Sequence, residues 1–168
     1  MQLSVRCVVA SLLLTLSLPC VAGVLDSPNG DVLLTLRGKI THINAQQTAQ
    51  FDRAMLQALP QHHFTTTTPW TEGAHRYDGV LLKDLLAAVG ARGSQLTLYA
   101  LNDYHATIQL APLRDYPILV AMKADGRPMR VRDKGPLWLL YPMSDFPQLD
   151  SKKHHVGMVW QLNGMVVE

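Results

Sequence analysis

Short apolar segments, several of them alternating with polar residues, recur along the chain from residue 32 onward. Segments of this kind, separated by Gly, Pro, Asn and Asp, are typical of β-strands. The predicted strands cover residues 32–40, 63–70, 95–101, 106–110, 118–122, 137–141, 156–162 and 165–167. Residues 137–141 (LWLLY) are apolar at every position, which indicates a strand buried on both faces at the centre of a sheet or sandwich.

Two segments have the spacing of an α-helix instead. In residues 48–59 (TAQFDRAMLQAL) the apolar residues from Phe51 onward stand one, three or four positions apart, and Pro60 ends the pattern. Residues 80–89 (VLLKDLLAAV) carry one apolar helical face, and Gly90 stands where a C-terminal cap is expected.

Three short stretches predict turns: residues 77–79 (YDG), residues 124–128 (ADGRP), and Asn163-Gly164 as a hairpin turn. Residues 102–105 (NDYH) form a polar break in a strand that residues 106–110 are expected to continue. No repeat or long linker divides the sequence, so many strands with two helices between them predict a single α+β domain.

The first 23 residues have the pattern of a cleavable secretory signal peptide. Arg6 follows the positive amino terminus, residues 7–18 are an uncharged apolar run, and residues 20–22 (CVA) put small side chains where a signal peptidase reads. The run is shorter than the about 20 residues that a membrane-spanning helix needs. We expect residues 1–23 to be removed on export to the periplasm and residues 24–168 to form the mature domain; the alternative is a buried first helix.

Both cysteines, Cys7 and Cys20, fall inside the predicted signal peptide. The mature domain then offers no thiolate for catalysis, for a cluster or for a metal ion. Its roughly 145 residues suffice to bury a core without disulfides. Removing Arg6 from the 15 basic residues leaves 14 against 13 acidic ones, and a net charge near +1 favours neither nucleic acid nor an anionic membrane as partner.

Histidine pairs at His62-His63 and His154-His155 raise the question of a metal site. Adjacent residues on a strand point to opposite faces, so each pair offers at most one ligand to a given site, whereas zinc needs three or four. We therefore predict no metal site. The sequence also contains no G-x-S-x-G elbow and no glycine-rich phosphate loop, so nothing in it indicates a serine nucleophile or a nucleotide.

Polar and aromatic residues concentrate in three loops at predicted strand ends: residues 68–73 (TPWTEG), 102–104 (NDY) and 130–136 (RVRDKGP). Loops on a rigid scaffold are where binding residues usually lie. Taken one at a time, each loop has a plainer interpretation: Trp70 as a core aromatic, residues 102–103 as a turn, and the basic run as a solvated face. Taken together, they predict a shared pocket.

Five motifs in a fixed order carry a family resemblance: TPWTEG, YDGVLLKDLLAAVGA, LTLYALNDY, ILVAMKADGRPM and DKGPLWLLYP. Between residues 32 and 162 the chain resembles the molybdopterin-binding domain of sulfite-oxidase-type enzymes, and most of all the short, stand-alone secreted versions of that domain. The resemblance implies an α+β fold of mixed β-sheets with a few helices, in which loops form a pterin pocket.

The resemblance does not extend to the enzyme. Catalytic members of that family hold molybdenum through a cysteine thiolate, and they commonly fold around the cofactor before export, which calls for a twin-arginine signal. Residues 24–168 contain no cysteine, and residues 1–23 contain no arginine pair. We therefore expect no catalytic residue, no molybdenum chemistry and export before folding.

The chemistry of a pterin, a flat aromatic ring with two neighbouring N–H donors on its pyrimidine edge, then assigns the candidate site. We expect Trp70 to stack on the ring and Asp103 to accept hydrogen bonds from that edge. The residues expected to hold the remaining edge and the side chain of the pterin are Asn102, Tyr104, Arg132 and Lys134.

Some stand-alone domains of this kind are similar to periplasmic pterin-binding proteins that report to membrane-bound enzymes of cyclic-di-GMP turnover. The sequence-based hypothesis is therefore a non-catalytic periplasmic pterin-binding protein that acts as the sensory partner of a membrane protein. Two alternatives stay open: a molybdopterin-dependent oxidoreductase with a ligand other than cysteine, and an interaction module without a small ligand.

Overall fold

The computed structural model describes residues 25–168, so the predicted signal peptide lies outside the described residues. The strands in this part of the chain are β1 (Leu34–Gly38), β2 (Ala49–Phe51), β3 (Gln61–Thr67), β4 (Ala74–Leu81), β5 (Gln95–Ala100), β6 (His105–Gln109), β7 (Leu119–Ala124), β8 (Arg127–Pro128), β9 (Trp138–Leu140) and β10 (Leu162–Val167). The helices are α1 (Arg53–Ala58), α2 (Leu82–Ala88) and α3 (Lys152–His155), with 3₁₀ turns at Ala111–Leu113, Val131–Asp133 and Pro147–Leu149.

Two five-stranded sheets organise these elements. The first has the order β2-β1-β10-β5-β6 and is mixed, because β1 and β10 pair in parallel while its other pairs are antiparallel. The second has the order β3-β4-β7-β8, with β9 also paired to β7, and all its pairs are antiparallel. The predicted α+β class, with mixed sheets and few helices, is confirmed.

One hydrophobic core draws residues from both sheets. Leu34 and Leu36 of β1, Leu98 of β5 and Leu119 of β7 are fully buried. The three residues of β9 are buried as well, as the uninterrupted apolar run at residues 137–141 predicts. The core thus holds the strand ends in place, and the loops that leave those ends form the site described below.

The second predicted helix is confirmed as α2, with Gly90 at its end in the left-handed conformation at φ 60°. The first is shorter than predicted, because the buried side chain of Asp52 accepts a hydrogen bond from the backbone N–H of Met55 and caps α1 there. The residues before Asp52 form β2 instead, since pairing with β1 outweighs their helical spacing.

Two predicted turns are wrong. Residues 77–79 lie inside β4, where a β-bulge between Asp78 and Gly79 shifts the register against β7. Asn163-Gly164 lies inside β10, where Gly164 pairs with Thr35 on one side and Tyr99 on the other. Both sequences suit a tight turn locally, but pairing with distant strands decides their conformation.

The strand predicted at residues 106–110 is confirmed as β6, but it does not continue the preceding strand: β6 returns antiparallel to β5, with residues 101–104 as the connecting turn. The strand predicted over residues 156–162 is wrong. Residues 156–162 are mostly irregular after α3, and Trp160 forms only an isolated bridge with Trp138. Among residues 25–168, no helix has the length and apolar character needed to cross a membrane.

Candidate functional site

A cleft of about 190 Å³ opens between the loop that follows β3, the β5–β6 turn and the segment that follows α3. We call it the aromatic cleft. The residues that line it are Trp70, Asn102, Tyr104, His155, Met158, Val159 and Trp160. Trp70 and residues 102–104 were predicted to contact a pterin ring. Three of these four residues, all except Asp103, therefore line the same cleft.

The loop of residues 68–73 holds Trp70 at the cleft through its own threonines. Thr68 is buried, and its Oγ1 accepts a 3.2 Å hydrogen bond from the backbone N–H of Trp70 and lies 2.7 Å from Oγ1 of Thr71. Side-chain bonds of this kind replace the ladder that ends with β3. Trp70 is left half-buried at the wall of the cleft.

All three tryptophans of the chain contact one another at this wall. The ring centroids of Trp70 and Trp160 lie 5.2 Å apart with the planes at 87°, the edge-to-face arrangement that aromatic pairs prefer. Trp138 lies beneath them, buried, and its Nε1 donates a 3.0 Å hydrogen bond to the carbonyl of Met158. Trp138 thus connects Trp70 and Trp160, which line the cleft, to the hydrophobic core.

The β5–β6 turn supplies a second wall of the aromatic cleft through Asn102 and Tyr104. Oδ1 of Asn102 accepts a 3.3 Å hydrogen bond from the N–H of Tyr104, and Asp103 between them is left-handed at φ 64°. The hydroxyl of Tyr104 donates a 2.9 Å hydrogen bond to the carbonyl of Val156, in the segment after α3. The turn is therefore joined to the third wall of the cleft.

A charged pair fixes the far end of the 68–73 loop. Nδ1 of His75 lies 2.7 Å from Oδ2 of Asp125 in the β7–β8 turn, and Nε2 lies 2.8 Å from the carbonyl oxygen of Glu72. Both neighbours are acceptors, and only the imidazolium form donates from both nitrogens. The hydrogen bond with Asp125 raises the pKa of His75, against the effect of burial, and the same hydrogen bond lowers the pKa of Asp125.

Below this pair, the ring of Tyr77 packs against Trp138 with centroids 5.7 Å apart. Burial raises the pKa of the Tyr77 hydroxyl, so this side chain stays neutral under ordinary conditions. Tyr77 and Trp138 thus form a buried aromatic layer in contact with Trp70 and Trp160, although neither of the two lines the cleft.

The other three predicted site residues do not line the cleft. Asp103 is exposed at the tip of the β5–β6 turn. Arg132 is exposed in the 3₁₀ turn at Val131–Asp133, where it lies 3.9 Å from Asp133. Lys134 lies beside the tryptophan cluster. Its Nζ is 5.8 Å from the ring centroid of Trp138, and its carbonyl oxygen accepts a hydrogen bond from the N–H of Gln161, next to Trp160.

Sequence reasoning missed His155, Met158, Val159 and Trp160 as cleft residues. The segment lacks a regular pattern, so only the folded chain brings it beside Trp70. One signal was available: Trp160 is one of only three tryptophans, and large aromatics often mark a shared cluster.

A longer groove of about 430 Å³ lies elsewhere, between α2 and residues 110–118. Its lining is mostly Leu and Ala, with Lys83 and Arg114 as its only charged residues and Tyr116 as its only aromatic one, so it has no cluster of aromatic rings like that of the aromatic cleft. Within residues 25–168, no three His, Cys, Asp or Glu side chains come together in a group that could hold a metal ion.

Comparison with known proteins supports the predicted fold. The chain is similar to the sulfane dehydrogenase SoxCD from Paracoccus pantotrophus, with a TM-score of 0.61 and 18% sequence identity over 86% of this chain. It spans only 40% of the length of that protein chain. A search of curated proteins gives no match.

The family comparison covers more of the sequence than any single motif. The model described as the oxidoreductase molybdopterin binding domain matches residues 34–145, from β1 to beyond β9. The fold is the sulfite-oxidase-type molybdopterin-binding fold, as the five sequence motifs predict. This chain belongs to the oxidoreductase molybdopterin binding domain family.

Proposed function

We propose that this chain is a periplasmic, non-catalytic pterin-binding protein and the sensory partner of a membrane-bound enzyme of cyclic-di-GMP turnover. The observation that carries the proposal is the aromatic cleft, whose lining brings together the rings of Trp70 and Tyr104 and the amide of Asn102. A flat heteroaromatic ring matches that combination, because aromatic walls stack or pack against its faces and an amide satisfies its polar edge.

The size of the cleft favours a small ring. Pockets for drug-sized ligands usually enclose about 300 Å³ or more. A cleft of about 190 Å³ suits a bicyclic pterin better than a complete molybdopterin with its third ring and phosphate. Trp70 is then the stacking surface, and Asn102 faces the edge of the ring.

The donor set does not fit a molybdenum-bound cofactor. Residues 24–168 contain no cysteine, so they supply no thiolate to the metal. The cleft itself carries one imidazole, that of His155, whose Nε2 already lies 2.7 Å from Oδ1 of Asp150. We therefore assign no reaction step to a metal in this protein.

Asp103 and Lys134 complete the proposed site from its rim. Asp103 is one residue from both Asn102 and Tyr104, and its exposed carboxylate would have to turn toward the cleft to reach a ring held there. Lys134 lies beside the tryptophan cluster and supplies a cation for a polar side chain of the pterin. Arg132, exposed two residues away, extends the same positive edge.

The test is a titration of the purified protein with neopterin and with 7,8-dihydroneopterin, followed by tryptophan fluorescence. We expect saturable quenching at micromolar to high-micromolar ligand. Trp70→Ala should weaken binding about tenfold, since stacking of a base on an aromatic side chain contributes roughly 1–3 kcal/mol. Tyr99→Ala, which truncates an aromatic side chain outside the cleft, is the control.

An absence of saturable change with either pterin would overturn the proposal. If binding persists unchanged in both Trp70→Ala and Asp103→Ala, the function stands but the site is elsewhere.

The family match keeps a molybdopterin-dependent oxidoreductase as the second candidate. Elemental analysis of protein purified from its native host separates the two, because stoichiometric molybdenum would favour the enzyme. A third outcome is a partner protein whose affinity is indifferent to pterin and to Trp70→Ala, which would indicate an interaction module without a ligand.

A further inference from the structure

Helix α3 contributes to a second cavity besides the aromatic cleft. His155 lines the cleft, whereas its neighbours Lys153 and His154 line a cavity of about 100 Å³ that we call the Tyr141 cavity. The rest of its wall consists of Thr107, Ile108, Gln109, Pro112, Leu113 and Tyr141. None of the side chains that line it is acidic.

The hydroxyl of Tyr141 is the unusual feature of this cavity. Tyr141 is fully buried, and its Oη finds no hydrogen-bond partner within residues 25–168. Buried hydroxyl groups in proteins almost always have a partner. Gly157 leaves the room for this hydroxyl, because a Cβ at that position would lie 2.5 Å from Oη and 2.8 Å from Cγ2 of Ile108.

Two nitrogen donors stand at the same cavity. Nδ1 of His154 lies 2.9 Å from Oγ of Ser151, which leaves Nε2 of that ring for another partner. Lys153 is exposed, and no carboxylate within the described residues forms a salt bridge with it. Burial lowers the pKa of His154, and electrostatic interaction with Lys153 and His155 acts in the same direction, whereas a hydrogen bond with the backbone of Leu149 acts against it.

No negative charge inside the cavity offsets these groups. Two carboxylates contact neighbours of the cavity: Oδ1 of Asp150 lies 2.7 Å from Nε2 of His155, and Oε2 of Glu168 accepts a 3.0 Å hydrogen bond from Thr97, whose Oγ1 lies 2.9 Å from Oγ1 of Thr107. Neither Asp150 nor Glu168 lines the cavity itself. The cavity thus combines a cation, an imidazole and an unpaired hydroxyl without a carboxylate.

We infer that the Tyr141 cavity is a binding site for a small oxyanion, held by the hydroxyl of Tyr141, Nε2 of His154 and the ammonium group of Lys153. Charge-assisted hydrogen bonds to such an anion satisfy all three groups at once. A volume of about 100 Å³ equals roughly three water molecules, which admits a phosphate, a sulfate or one carboxylate group but not a pterin. The site is therefore separate from the aromatic cleft, and it does not depend on the proposed function.

The experiment measures the thermal unfolding midpoint of the purified protein in increasing inorganic phosphate, sulfate or acetate, at an ionic strength held constant with sodium chloride. A ligand that binds only the folded state raises the midpoint with a saturable dependence. The matched variants are Lys153→Gln, Lys152→Gln and Tyr141→Phe. Lys152 is the control, since it lies next to Lys153 on α3 but does not line the cavity.

We expect saturable stabilisation of the wild type and of Lys152→Gln, and affinity about tenfold lower in Lys153→Gln and in Tyr141→Phe. A second readout is the His154 ring in NMR spectra, whose pKa should rise when the anion is present. Preference for phosphate or sulfate assigns a tetrahedral anion, whereas preference for acetate assigns a carboxylate, and either supports the site.

Equal responses of Lys153→Gln and Lys152→Gln would overturn the inference, as would an absence of saturation in the wild type. In both cases the hydroxyl of Tyr141 is satisfied by buried water alone. Because Tyr141→Phe keeps the ring and removes only the unpaired hydroxyl, it should fold as well as the wild type.

Discussion

Tyr104 donates a 2.9 Å hydrogen bond from its hydroxyl to the backbone carbonyl of Val156 and so joins two walls of the aromatic cleft. The β5–β6 turn that carries Tyr104 and the segment after α3 are otherwise linked near this point by the N–H of Leu101, which donates to the carbonyl of Gln161. Two hydrogen bonds, one from the side chain of Tyr104 and one from the backbone of Leu101, therefore set the spacing of the two walls.

Replacing that tyrosine with phenylalanine isolates the hydrogen bond. Tyr104→Phe keeps the ring at the cleft, and we expect pterin affinity to fall about three- to tenfold, the equivalent of a net hydrogen bond of roughly 0.5–1.5 kcal/mol. The titration described above measures the change. Tyr116→Phe is the control, because its hydroxyl accepts a hydrogen bond from Gln148 away from the cleft. Equal affinity of wild type and Tyr104→Phe would contradict this role.

The pair of His75 and Asp125 makes the 68–73 loop sensitive to pH. The pKa of His75 is raised from 6.5, so its contribution is fully present below about pH 6.5 and is lost as the pH rises through the folded-state pKa. The pKa of Asp125 is lowered from 3.8, so its contribution is present above that value and is lost as the pH falls through the folded-state pKa. The pair is therefore most effective between roughly pH 4 and pH 6.5.

An NMR titration of the His75 ring checks this assignment. Asp125→Asn should lower the pKa of His75, since it replaces the negatively charged acceptor with a neutral amide, whereas Asp145→Asn, which changes an exposed carboxylate elsewhere, should leave it unchanged. Arg127 is the other charged group that acts on Asp125, and the backbone N–H of Arg76 donates a hydrogen bond to Asp125. The guanidinium group of Arg76 pairs with Asp78 instead. A His75 pKa that is the same in wild type and Asp125→Asn would show that the hydrogen bond is not formed in solution.

Local patterns in the sequence predicted those elements whose stability is local. The apolar face of α2 and the glycine after it lie within ten residues, so the sequence of that segment contains the whole signal. The same holds for β9, whose apolar run requires burial wherever it is placed. By contrast, Asn163-Gly164 reads as a hairpin turn, and its place in β10 depends on Leu36 and its neighbours, more than a hundred residues earlier.

The candidate site likewise contains residues that the local sequence predicted and residues that only distant contacts bring to the cleft. Trp70 and residues 102–104 stand out because they interrupt or end strands, and their loops were predictable. His155 and Trp160 are brought to the cleft by contacts with distant residues, among them the bridge of Trp160 to Trp138 and the hydrogen bond of Tyr104 to Val156. No spacing in the sequence encodes those two contacts.

Gly79 gives a sharp test of the β4 bulge. A Cβ at this position would lie 2.1 Å from the carbonyl oxygen of Val120 and 2.8 Å from Cα of Ala121, and backbone atoms cannot move aside as a side chain can. We expect Gly79→Ala to lower the free energy of unfolding by about 1–3 kcal/mol or more. Urea denaturation measures it. Gly30→Ala is the control, with its nearest atom 3.6 Å away, and a loss of equal size there would refute the steric argument.

Trp138 connects the stability of the core to the shape of the aromatic cleft. Its ring is almost fully buried, its Nε1 donates to the carbonyl of Met158, and its centroid lies 6.3 Å from that of Trp70 and 6.4 Å from that of Trp160. Trp138→Phe leaves a cavity and removes the donor of a buried carbonyl, so we expect the free energy of unfolding to fall by about 3 kcal/mol.

Far-UV circular dichroism should follow this unfolding, because the substitution itself alters tryptophan fluorescence. Trp160→Phe is the comparison: that ring is only half-buried, so the loss of stability should be smaller, while both variants should weaken pterin binding through the displaced Trp70 ring. If Trp138→Phe is as stable as the wild type but fails to bind pterin, the indole supports the cleft alone. If it is destabilised yet binds normally, Trp138 acts in the core alone, and the position of Trp70 in the cleft does not depend on it.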